Sequence, residues 1–117
     1  MNRILNALRY SCHGLKSAFA SETSFRQDVA IFIIGTIAAI FIPVGNMEKC
    51  LLASSLLIII LMELANTAIE TIINRISADI HPLSKKAKDI GSALVMLSFA
   101  NAAVVWAVVL YPIVISN

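Results

Sequence analysis

Apolar residues run along this chain in four stretches of differing pattern, separated by short polar breaks. In the first, Leu8, Cys12, Leu15 and Phe19 share one narrow helical stripe with Ile4 and Leu5 beside it. Arg3, Asn6, Tyr10, His13 and Ser17 lie opposite, and Arg9 and Lys16 mark the edges. An amphipathic helix over about residues 3–20 suits the headgroup plane of a bilayer, with its Lys and Arg stems reaching towards phosphates. A helix packed on other protein is the alternative for the same stripe. The other three stretches are apolar nearly all round and read as membrane spans.

Ser21-Glu22-Thr23-Ser24 breaks the first helix, and Ser24 and Gln27 have the spacing of a capping box that would restart it as a span over about residues 25–42. From Val29 to Ile42 only Gly35 and Thr36 interrupt the apolar run, and Pro43-Val44-Gly45-Asn46 supplies turn residues. That run of about 14 residues rises only about 21 Å, too little to cross alone. The span therefore borrows the turn of Phe25, Arg26, Gln27 and Asp28, whose charges then sit at the interface. A second span is expected over about residues 50–73 and a third over about 89–115, with a polar loop over about 74–88 between them. Trp106 and Tyr111 fall towards the far end of the third span, where interfacial aromatics belong, and Pro112 is expected to kink or fray its last turns. The predicted fold is all-α and integral to the membrane, one domain over residues 1–117.

Composition supports this. Of 117 residues, 59% are hydrophobic and 14% charged, and the mean hydropathy is +0.87, whereas a soluble domain carries about 25% charged residues. A chain this short cannot hide so much apolar side chain from water, so the surface must face lipid or a partner. A net charge of +2 leaves no polybasic footprint, and no nucleic-acid partner is expected. Cys12 and Cys50 lie far apart with only His13 and His81 to join them, which indicates neither a zinc site nor a disulfide framework. The first ten residues lack the apolar core and cleavage site of a signal peptide and are expected to belong to the mature protein. Of nine cations, Arg3, Arg9, Lys16 and Arg26 precede the first span, Arg75, Lys85, Lys86 and Lys88 lie between the second and third, and only Lys49 falls in the first loop. The N-terminus and the second loop are therefore expected on the cytoplasmic side.

Glu63, Asn66, Glu70 and Asn74 recur at i, i+3, i+7 and i+11, a polar stripe within about 80° on an apolar helix. Two carboxylates on one face of a span are too costly to turn towards lipid and must line an interface or a wet cleft. Glu63, the deeper, suits proton acceptance near neutral pH. Glu70, about two turns nearer the cytoplasm, suits a hard cation, and Glu22 at the cytoplasmic end of the first span is able to meet it there. The bland alternative is that the stripe only hydrogen-bonds helices together. Lys85 and Lys86 read as solvated positive-inside charges, whereas Lys88, with Asp89 and Ser92 beside it, suits a phosphate. His81, before Pro82, reads as a loop or capping residue. There is no GxxxxGK[ST], no GxGxxG and no soluble-kinase signature.

Glu63-Leu-Ala-Asn66-Thr-Ala-Ile-Glu70, then Asn74-Arg75-Ile, then His81-Pro-Leu-Ser-Lys-Lys-Ala-Lys88-Asp89-Ile-Gly-Ser92-Ala, strongly resemble the prokaryotic integral-membrane diacylglycerol kinases. The resemblance extends to Arg3, Ala7, Tyr10, Gly14-Leu15 and Glu22-Thr-Ser-Phe25-Arg26-Gln27. It implies a homotrimer of three-span protomers with active sites shared between neighbours, in the bacterial cytoplasmic (inner) membrane. It implies transfer of the γ-phosphoryl of ATP to the hydroxyl of diacylglycerol, with Mg2+, giving phosphatidic acid. On matching positions it implies Glu63 as general base with Asn66 beside it. Glu22 and Glu70 become the metal carboxylates, and Arg3, Tyr10, Glu22, Glu70, Asp79, His81, Lys88 and Asp89 the ATP-binding set. Arg3, Arg26, Gln27, Glu63 and Ser92 become the lipid-substrate set. Asn74 stands where the family commonly has an acidic residue.

A sister branch of the family phosphorylates undecaprenol with the same core motif; Asn74-Arg75-Ile-Ser and the third span with Trp106 lean towards diacylglycerol. Outside the family, a small proton-coupled transporter is the alternative, because a membrane glutamate serves as a proton relay. That reading leaves the Lys88-Asp89 pair without a role.

Overall fold

The computed structural model describes residues 2–76 and 79–116. Its described residues form four helices: α1 (Asn2–Ser21), α2 (Thr23–Phe41), α3 (Asn46–Ile76) and α4 (Pro82–Ser116). Helix is the expected outcome for apolar runs of this length, because a chain in lipid must satisfy its backbone polar groups within itself. The last three are long and apolar enough to cross a membrane. At about 1.5 Å per residue α2 rises about 28 Å, and α3 and α4 about 46 and 52 Å. The latter two carry polar turns beyond the apolar spans. Of the expected loop 74–88, Asn74 and Arg75 close α3 and residues 82–88 open α4, while Asp79, Ile80 and His81 are non-helical.

The α1–α2 junction differs from the capping box expected at Ser24 and Gln27. Helix α2 starts two residues earlier, with Glu22 in extended conformation as N-cap and no side-chain bond to the cap. Glu22 alone is non-helical, its backbone N–H still reaching Ala18 O at 2.9 Å and its carbonyl accepting from Arg26 N at 3.2 Å. A break this short needs no new cap. The carbonyls left at the end of α1 are instead met by Arg26, whose Nη1 donates to Phe19 O at 2.6 Å and Ala20 O at 3.2 Å. The α2–α3 turn is closed similarly, with Lys49 Nζ on Ile40 O at 2.8 Å. Pro112 does not end α4, which stays helical to Ser116.

Helix α3 is central, packing on α2 along one side and α4 along another, while α1 touches α2 near the junction. Ala18, Phe25 and Ile60 pack together with Val29, Phe32 and Leu64, and Phe19 meets Phe25 edge to face at 6.4 Å. Further along, Leu56, Ile59 and Ala102 pack with Phe32 and Trp106. Gly35 permits this approach, since a Cβ there would run into Leu56 Cδ1. The indole of Trp106 is not a free interfacial ring: Nε1 donates to Leu52 O at 3.3 Å and Ser55 Oγ at 3.2 Å, joining α4 to α3. Leu8, Leu15 and Phe19 on the α1 stripe, and many apolar residues of α2 and α4, remain exposed on the single chain.

Candidate active site

The polar stripe of α3 meets two neighbours. Between α2, α3 and α4 lies a cleft of about 400 Å³, lined by Gln27 and Asp28 from α2, Glu63 and Asn66 from α3, and Ser92 from α4, with Val95, Met96 and Phe99 as its apolar wall. Glu63 is 9% exposed and Asp28 5%, and their carboxyls are in side-chain hydrogen-bond contact. Asp28 was expected at the interface, and it is the more buried of the pair. The i, i+3, i+4 spacing of Ser24, Gln27 and Asp28 already carried the signal: a polar stripe on an apolar helix, as on α3. Asn66 Nδ2 donates to Glu70 Oε1 at 3.3 Å, orienting that carboxylate. Asn66 sits where α4 comes closest, since a Cβ on buried Gly91 would run into its Oδ1.

A second cleft, of about 270 Å³, lies where α3 ends and α4 begins. Asn74, Asp79, His81, Lys88 and Asp89 line it, with Ser84 and Lys85. Lys88 Nζ donates to Asn74 Oδ1 at 3.0 Å, tying α4 to the last turns of α3. His81 Nδ1 accepts from Leu83 N at 3.1 Å, a cap on the first turn of α4. Lys85 and Asp89 form an exposed ion pair at 2.7 Å. Glu70, one turn from both Asn66 and Asn74, stands between the clefts.

The expected residues thus divide. Glu63, Asn66, Gln27 and Ser92 share the first cleft, and Asp79, His81, Lys88 and Asp89 the second. Glu22 is half-buried at the α1–α2 junction, and Arg26 is engaged with the end of α1. Arg3 and Tyr10 are exposed on the first half of α1 and line neither cleft. Among the described residues no three His, Cys, Asp or Glu gather as a metal cage. Magnesium asks for less, binding through one or two carboxylates completed by phosphate and water, and a carboxylate oriented as Glu70 is fits that demand.

A family profile described as prokaryotic diacylglycerol kinase matches residues 9–110. Relatives named diacylglycerol kinase include those of Pseudomonas aeruginosa, 39% identical over 94% of this chain and 89% of the relative, and Haemophilus influenzae, 37% identical over 95% and 94%. That of Escherichia coli K12 is 35% identical over 93% of this chain and 89% of its own length. The chain is a multi-pass membrane protein and belongs to the prokaryotic diacylglycerol kinase family.

Proposed function

We propose that the protein transfers the γ-phosphoryl group of ATP to the hydroxyl of diacylglycerol, forming phosphatidic acid at the cytoplasmic face of the bacterial inner membrane. The observation that carries this reading is the first cleft. A buried carboxylate, Glu63, stands beside Asn66 against the apolar wall of Val95, Met96 and Phe99. A lipid alcohol can present its hydroxyl there while its acyl chains stay in the bilayer. The relatives named above favour diacylglycerol over undecaprenol as acceptor.

In this reaction the acceptor oxygen forms a bond to the γ-phosphorus as the bond to the β,γ-bridging oxygen breaks and its electron pair leaves with ADP. Glu63 takes the hydroxyl proton on a carboxylate oxygen. Asn66 holds Glu70 in place through Nδ2. Glu22 and Glu70 would hold the magnesium of Mg-ATP, which when bound would neutralise charge on the phosphates. Lys88 turns from Asn74 to the phosphates, and Asp79, His81 and Asp89 surround the nucleotide at the second cleft. Gln27, Arg26 and Ser92 flank the lipid entry. Arg3 and Tyr10 line neither cleft of their own chain and act at the site of a neighbouring protomer in a homotrimer, with α1 lying in the headgroup plane.

The test is turnover in detergent micelles with Mg-ATP and either lipid. Phosphatidic acid from diacylglycerol, lost in Glu63→Gln, is the expected result; faster phosphorylation of undecaprenol, or full activity in that variant, overturns the acceptor or the base respectively. Mixing Glu63→Gln and Glu70→Ala protomers is expected to restore part of the activity if the two residues serve one site from different chains.

A further inference from the structure

Asp28 has no role in the reaction as drawn, yet it is the most buried charged side chain in the first cleft. Its Oδ2 is buried without a hydrogen-bond donor, and the group its carboxyl contacts is Glu63, itself a carboxyl. Two acceptors make a hydrogen bond only when a proton lies between them. Two adjacent ionised carboxylates so little exposed would also repel strongly, as in carboxylate dyads that share one proton. The remaining charges around Glu63 are Glu70 on its own helix and Glu22 at the α1–α2 junction, both acidic. Helix α4 contributes Ser92, Val95, Met96 and Phe99, none of which titrates. Among the described residues no cation faces the pair to relieve it, and one proton does.

We propose that Asp28 is a positioning residue that keeps this shared proton and donates it in a hydrogen bond to Glu63, holding the Glu63 carboxylate with one oxygen turned to the lipid hydroxyl. The inference rests on Glu63 as the base. When the hydroxyl proton moves to Glu63, the pair passes from one proton to two and loses its single negative charge; the second proton leaves to water after product departs. Asp28 needs no contact with substrate for this role. What it requires is a donor at position 28.

An amide at this position can still donate, so Asp28→Asn is expected to keep most of the turnover. Asp28→Ala is expected to lose at least about tenfold in kcat with KM for Mg-ATP unchanged. The pH profile of Asp28→Asn is expected to report one ionisation where the unaltered protein shows two coupled ones. An infrared carboxylic-acid C=O band should be present at neutral pH in the unaltered protein and absent from Asp28→Asn. Asp28→Asn as inactive as Asp28→Ala in folded protein, a loss confined to KM, or an infrared band indifferent to Asp28→Asn would overturn the proposal. Undiminished turnover in Glu63→Gln would remove the base, and with it the role of Asp28, while leaving the band in place, so the two failures are distinguishable.

Discussion

The two ends of the α3 interface solve the same packing problem differently. Around Trp106, α3 meets α4 through Leu56, Ile59 and Ala102, and the indole N–H and Ser55 Oγ, the polar groups that enter the packing, are bonded across the helices. Ser55 Oγ also donates to Leu52 O at 2.7 Å. Around Glu63, α2 joins these helices to enclose two carboxyls in contact, and Asp28 Oδ2 and Asn66 Oδ1 are buried without partners; the Trp106 end has one such atom, Thr36 Oγ1 on α2 beside Gly35. An unsatisfied buried polar atom costs about 1–3 kcal/mol, so the Glu63 end is the less stable solution. Its persistence is what a reaction site predicts, since polar groups kept for chemistry stand where packing alone would not place them. One end holds the bundle together and the other keeps chemistry available.

The sharpest way to separate the two ends is to remove the base. Glu63→Gln is expected to lower kcat by about 10²–10⁴-fold while leaving thermal stability unchanged or improved, because a buried charge is removed with little change of shape. Activity assays beside unfolding curves in the same detergent would show both. Next in size is Gly91→Ala, whose new Cβ would run into the Asn66 amide that orients Glu70. The expected cost is about 10- to 100-fold in turnover with about 1–3 kcal/mol of stability from overpacking. Equal turnover in that variant would show that Asn66 need not sit where it does.

Trp106→Phe should behave in the opposite sense. Losing the bonds to Leu52 and Ser55 is expected to cost about 1–2 kcal/mol of stability with kcat and KM unchanged, and a comparable loss of activity would mean that the two ends are coupled. The smallest effect is expected from Lys85→Ala. Its partner Asp89 is reached on an exposed helix face, so the unfolding midpoint should not move measurably.

Periodicity and length were enough for the three apolar spans, for the turn around Pro43, and for the common face of Glu63, Asn66 and Glu70, because these depend on the pitch of one helix and the thickness of a bilayer. The motif residues were also sufficient to mark the family, since their spacing is local. Which face of α2 meets α3 is not a local property. Asp28 therefore read as an interfacial charge until helix packing put it on Glu63, and Trp106 as an interfacial aromatic until α4 brought it to Ser55. The Ser24 and Gln27 capping pattern failed for a related reason: Arg26 and the nearly continuous backbone already satisfy the junction. Sequence determined the helices and the chemistry each one carries. The tertiary structure alone decided which side chains from different helices share a dry space, because that depends on the rotation and approach of helices about one another, set here by small residues such as Gly35 and Gly91.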